Sequence, residues 1–253
     1  MNINSHKNIY IFETQVDLAK AAASLMMEVS KQAIQKSGRF VIALSGGSTP
    51  ESLFKLLTII PYKYQIQWEK TFVFWGDERF VPADDERNNS NKAKTLLLNH
   101  IPIPSENIFA IPVDSNPKTS AEKYAQTIKD LFGSEPPRFD LIFLGLGEDG
   151  HTASIFPESD LVFEKTQLVK EVYVEEQSMN RISMTPALIN QAHHIAFLIE
   201  GENKAKILKR VLSEFIQPLQ FPAQIIHPKD GNLYWYLDKS AAALLPANTD
   251  REN

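Results

Sequence analysis

What most constrains this chain is a unit that recurs: a short apolar run that halts on a polar loop containing glycine. Arg39-Phe40-Val41-Ile42-Ala43-Leu44 halts on Ser45-Gly46-Gly47-Ser48-Thr49-Pro50. Thr71-Phe72-Val73-Phe74-Trp75 halts on Gly76-Asp77-Glu78-Arg79. Phe139-Asp140-Leu141-Ile142-Phe143-Leu144 halts on a turn with glycine at 145, 147 and 150, followed by His151. Runs this short, rich in aromatic and branched side chains, suit strands buried on both faces. Between them lie segments of helical period. Asp17 to Ile34 repeats Leu18, Ala22, Leu25, Met26, Val29 and Ala33 along one stripe, and Gly38 stops it. Strands alternating with helices imply crossover connections, a mostly parallel sheet and an α/β fold with helices on both faces. In such a sheet all carboxyl ends share one edge. The loops 45–49, 76–79 and 145–151 are therefore expected to converge in space, and that convergence marks a site.

The remaining elements follow the same logic. Ile9 to Phe12 is a short strand. A helix follows Ser48, started either by Thr49 as cap with Pro50 at its first position, or by a capping box of Ser48 and Glu51. Helices are predicted over 91–98 and 119–131, the latter capped by Thr119 or Ser120. Val169 to Glu175, Arg181 to Met184, Ile195 to Ile199, Ala223 to His227 and Leu233 to Leu237 read as strands. Thr185-Pro186 starts a helix, and Gly201 opens another from about Glu202 to Phe215. Residues 1–8 and the tail from Pro246 to Asn253 are polar. No repeat or composition break divides residues 1–253, so a single domain is expected.

Composition excludes several classes of function. The chain has 253 residues and no cysteine, so disulfides, thiolate catalysis and cysteine-ligated zinc are ruled out. That usage fits a reducing, cytoplasmic setting. No apolar run approaches the ~18 residues of a membrane span, and no signal-peptide core is visible, so neither export nor a membrane partner is expected. A net charge of −5 without a basic block argues against nucleic acid. It leaves room for an anionic small molecule met by a few local cations. A monomer or weak homodimer is the expected state.

The loops offer distinct chemistry. Ser45 to Thr49 brings consecutive amides, hydroxyls and a helix start, the parts that hold a single phosphate; the same residues also make an ordinary turn and cap. The lysine and spacing of a nucleotide-binding loop are absent. Asp77-Glu78-Arg79 could position a ligand, but taken alone it reads first as a surface ion-pair cluster. Asp149 and His151 place titratable groups on a glycine turn at a strand end. Arg181 stands at the start of a strand. Lys204 falls in the first turn of a helix, where an anion would offset the unfavourable dipole. His193-His194 lacks metal-ligand spacing, and no metal or cofactor is expected. Ser52-Leu53-Phe54-Lys55 matches a serine-lysine pattern without its companion motifs, so a serine nucleophile is disfavoured.

Together, L-S-G-G-S-T-P at 44–50, W-G-D-E-R at 75–79, L-G-L-G-E-D-G-H-T-A-S-I-F-P at 144–157 and R-I-S-M-T at 181–185 resemble 6-phosphogluconolactonases. The resemblance spans nearly the whole chain in the right order. It implies a three-layer, Rossmann-like fold shared with glucosamine-6-phosphate deaminases and ribose-5-phosphate isomerases. It implies hydrolysis of the ester in 6-phosphoglucono-δ-lactone, a step of the pentose phosphate pathway. His151 would be the general base on water, supported by Asp149, with Asp77 a further catalytic candidate. Ser45, Gly46, Gly47, Ser48 and Thr49, with Arg181 and Lys204, would hold phosphate, and Asp77 and Arg79 would line the sugar side. Ser90 and Asn91 match more loosely. Two alternatives stay open: a sugar-phosphate deaminase or isomerase, and a non-catalytic sugar-phosphate sensor. In the deaminases a catalytic glutamate stands five residues past the histidine, where this chain has Phe156.

Overall fold

The computed structural model describes residues 8–246, so residues 1–7 and the tail from 247 lie outside it. Its centre is a sheet of six strands, all parallel: β1 (Asn8–Phe12), β2 (Phe40–Leu44), β3 (Thr71–Trp75), β5 (Leu141–Leu144), β8 (His194–Ile199) and β9 (Asn232–Asp238), in the order β1-β9-β8-β5-β2-β3. Every residue of β2 and β5 is buried, which is why these runs carry no polar alternation. Between the two in number, β4 (Asp77–Arg79) leaves the main sheet and joins β6 (Val169–Val174) and β7 (Met179–Met184) in a small antiparallel sheet, order β4-β7-β6. Gly76 is the hinge: its N–H stays with Leu44 O of the main sheet, and its carbonyl accepts from Met184 N of the small one.

The helices obey local chemistry. In α1 (Gln15–Ser37) the Thr14 hydroxyl accepts from Asp17 N at 3.1 Å, and Gly38 closes the other end at φ 77°. α4 (Pro117–Phe132) is capped by Asn116, whose side chain accepts from Thr119 N, rather than by Thr119 or Ser120; Pro117 takes the first turn. α3 (Asn89–Leu96) is likewise capped by Asn88. α2 (Thr49–Leu57) and α5 (Pro186–Ile189) complete the set before β8. Right-handed crossovers put α1 and α2 on one face of the sheet and α4 on the other. There Tyr124 of α4 serves the outer edge of β3, accepting from Trp75 N at 2.8 Å and donating to Trp75 O at 3.0 Å.

Two sequence expectations are corrected. Ala223 to His227 is not a strand; Pro222–Ile225 forms a 3₁₀ turn, with Ala223 N donating to Gly150 O. Pro222 lacks the N–H a ladder needs, and the run packs under the glycine turn instead. The helix expected from Glu202 to Phe215 is a 3₁₀ turn, Glu202–Lys204, followed by α6 (Ala205–Val211). It ends early because the Gln224 amide collects the carbonyls of Arg210, Val211 and Phe215. Among the described residues no helix is long and apolar enough to cross a membrane.

Candidate active site

Topology decides where the site lies. The connection out of β2 runs to β3 on one side, and that out of β5 runs to β8 on the other. Between their carboxyl ends the sheet switches direction, and the loops part. A cleft of about 210 Å³ opens there. Of the residues singled out from sequence, Ser45, Gly46, Gly47, Ser48, Thr49, Asp77, Arg79, His151, Arg181 and Lys204 all line it. Asp149 stands behind His151 and does not.

One wall is the 45–49 loop. Neither predicted cap forms: Ser48 has helical angles and makes no side-chain cap bond. Gly47 takes φ 96°, a region open to glycine. As a result the successive amides of Gly46, Gly47, Ser48 and Thr49 have no partner among the described residues. Unpaired amides at the start of a nine-residue helix form an anion seat. Lys204, from the turn before α6, lines the same cleft and adds a cation.

The opposite wall carries the titratable pair. His151 Nδ1 lies 2.6 Å from Asp149 Oδ1, and the same oxygen accepts from the His151 amide at 3.0 Å. Burial raises the Asp149 carboxyl, but its bonds to His151 outweigh that and hold it below the ordinary value. Asp149 is thus a carboxylate and can only accept, so Nδ1 carries the proton and Nε2 is the basic nitrogen. Gly147 makes room for this pair: a Cβ there would collide with His151 Nδ1 and with the Asp149 carboxylate.

The floor is built from β4 and β7. The surface-cluster reading of Asp77-Glu78-Arg79 is corrected, since Asp77 and Glu78 are buried. Asp77 accepts from Ser154 Oγ at 2.6 Å and pairs with Arg181 Nη1 at 3.7 Å. Arg181 is itself buried, inside β7 rather than at its start, and its Nη2 donates to Gln177. Among the described residues, the buried Nε–H of Arg79 and that of Arg181 each lack a partner. A buried unpaired donor is costly, and an anion would relieve it. Glu78 accepts from the amides of Arg79, Asn89 and Ser90 at 2.9, 2.7 and 2.9 Å. Burial still pushes its carboxyl up to about 7.

Comparisons with known proteins place the chain in a family. The family model for glucosamine-6-phosphate isomerases/6-phosphogluconolactonase matches residues 13–235. The chain belongs to that family. It is 37% identical over 243 residues to the 6-phosphogluconolactonase of Nostoc sp., covering 94% of this chain and 98% of that protein. It is 41% identical over 204 residues to the 6-phosphogluconolactonase of Haemophilus influenzae, covering 81% and 87%. The solved 6-phosphogluconolactonase from Trypanosoma cruzi superposes with a TM-score of 0.85 at 28% identity, over 95% of this chain and 97% of that one. A monomeric glucosamine-6-phosphate deaminase superposes at 0.80 with 20% identity, which shows a common fold.

In this member of the glucosamine-6-phosphate isomerase/6-phosphogluconolactonase family, Ser90 and Asn91 do not reach the cleft. Ser90 Oγ bonds Asn88, and the Asn91 amide bonds the carbonyls of Asp84 and Asp85. Their neighbour Asn89, which sequence reasoning missed, does reach it. Its amide donates to Asp77 O at 3.0 Å and fills the space a Cβ on Gly46 would need. Glu200 was missed too. It follows β8 at the same sheet edge, so the rule that found the other loops also pointed to it. Burial raises its carboxyl, and among the described residues its buried Oε2 has no hydrogen-bond partner.

Proposed function

We propose that this chain hydrolyses 6-phosphoglucono-δ-lactone to 6-phosphogluconate, as the names of its relatives state for them. The observation that carries the reading is His151, backed by Asp149, lining the same cleft as the unpaired amides of the 45–49 loop. The phosphate sits on the 45–49 amides with Lys204, and Arg181 completes the charge. His151 Nε2 takes a proton from water as the oxygen attacks the lactone carbonyl. The imidazolium that forms is balanced by Asp149. Arg79 or the glycine-turn amides meet the tetrahedral oxyanion. Collapse breaks the bond to the ring oxygen, which leaves with the proton held by His151. A lactone is an activated ester, so neither a metal nor a covalent intermediate is required.

The test is a coupled assay on freshly made lactone, corrected for its spontaneous opening. Enzyme-dependent acceleration supports the reading. Binding of the phosphosugar with no acceleration would mark a sensor instead. Ammonia release from glucosamine 6-phosphate at a comparable rate would favour the deaminase alternative, which Phe156 disfavours because it cannot transfer a proton.

A further inference from the structure

Phe156 stands beside two groups the proposed reaction uses, yet it does not line the cleft. Its ring centroid is 4.3 Å from that of the His151 imidazole, at an interplanar angle of 33°. The Arg181 guanidinium carbon lies 5.6 Å from the same ring centroid, within cation–π range. Each of these partners is backed by a carboxylate, His151 by Asp149 and Arg181 by Asp77. One phenyl ring therefore bridges a carboxylate–imidazole pair on the glycine turn and a carboxylate–guanidinium pair on the small sheet.

The physical consequence concerns the plane of the imidazole. A hydrogen bond to Nδ1 fixes one ring atom and leaves the ring free to tilt about it. A flat neighbour at 4.3 Å removes that tilt. The face of a phenyl ring is also the negative end of its quadrupole, so it attracts a cation. It favours the imidazolium that exists only after the proton has moved. A leucine would fill the space and supply neither effect.

We propose that Phe156 is a positioning residue for the reaction. It sets the plane of the His151 ring for water activation, steadies the imidazolium and ties it to Arg181. The inference rests on the lactonase reading of the cleft.

Phe156→Leu and Phe156→Tyr in the full chain test it, with His151 ring signals assigned by their loss in His151→Gln. In the parent protein the His151 ring protons are shifted upfield by the Phe156 ring current. In Phe156→Leu they move downfield, and kcat falls roughly 5- to 30-fold with KM changed by less than about 2-fold, the scale of one such contact. Phe156→Tyr restores both signals and rate. Wild-type kcat in the folded Leu variant overturns the proposal. So does a fall in kcat with the His151 signals unmoved, or a Tyr variant as slow as the Leu variant. If the parent chain itself opens no lactone, the functional reading fails, while the ring-current shift still reports whether the stack exists.

Discussion

His151 and Arg181 lie in one cleft but have different duties, and replacing each should fail differently. In the proposed reaction His151 acts on the proton that moves. His151→Ala should lower kcat by roughly 10²–10⁴-fold, the range for loss of a general base, with little change in KM. A near-normal kcat would move water activation to Asp77 or another group. In the same proposal Arg181 holds an anion that does not react, so its loss should mainly raise KM. The structure adds a second effect. Arg181 is 7% exposed and Asp77 6%, so Arg181→Ala leaves a buried carboxylate with Ser154 Oγ as its remaining side-chain partner. Breaking a buried pair from one side costs about 3–5 kcal/mol. Urea unfolding of Arg181→Ala should show a loss of that size, and a parent-like midpoint would contradict the buried pair. Sequence placed Arg181 at a strand start with no hint of this burial, because burial there comes from β4, 102 positions upstream by the Arg79–Arg181 pairing.

At the level of elements, the glycine turn after β5 is the part most tightly specified. Gly147 N donates to His151 O at 2.8 Å, and Thr152 Oγ1 donates to Gly145 O at 2.8 Å, so the turn folds back on itself. Gly147 does not adopt a positive φ, unlike Gly150 at 89°. Alanine at 147 is therefore acceptable to the backbone, and the atoms its Cβ meets first belong to the Asp149–His151 pair. Gly147→Ala should keep cooperative melting and lose kcat on the order of 10²-fold, as for a displaced catalytic base. Steady-state kinetics beside a melting curve decide it: unfolding, or an unchanged kcat, would refute the steric account. This turn was legible because glycines and a strand end are local signals. The early end of α6 was not, because the Gln224 amide that takes its carbonyls lies 13 and 14 positions away.

For the whole molecule, the buried carboxyls set a pH dependence of stability. Glu78 has a folded pKa of about 7 against an ordinary 4.5. Asp140, also raised by burial, stands at about 6 against 3.8. The native state therefore binds these protons more tightly than the unfolded chain does. The stability that results is complete below the ordinary values and is lost as pH rises through about 6 to 7. For Glu78 it amounts to about 3 kcal/mol at most. Urea midpoints should fall between pH 5 and pH 8 in the parent chain and fall less in Glu78→Gln. A flat parent profile would sink the assignment. Glu78 also ties Asn89 and Ser90 to β4, so the same substitution should loosen the loop that lies over Gly46.

The sequence by itself determined the parallel α/β layout, the glycine turn with Asp149 and His151, and the three loops that meet. These are read from period, strand length and turn chemistry, all properties of neighbours along the chain. Only the tertiary structure decided that β4 leaves the main sheet at Gly76 and that Asp77 and Arg181 are a buried pair. It also decided that Asn89 completes the cleft and that Phe156 lies against both His151 and Arg181. Those facts depend on which segments, distant in sequence, come to share a face. The free energy of that choice lies in burial and desolvation, which no local pattern records.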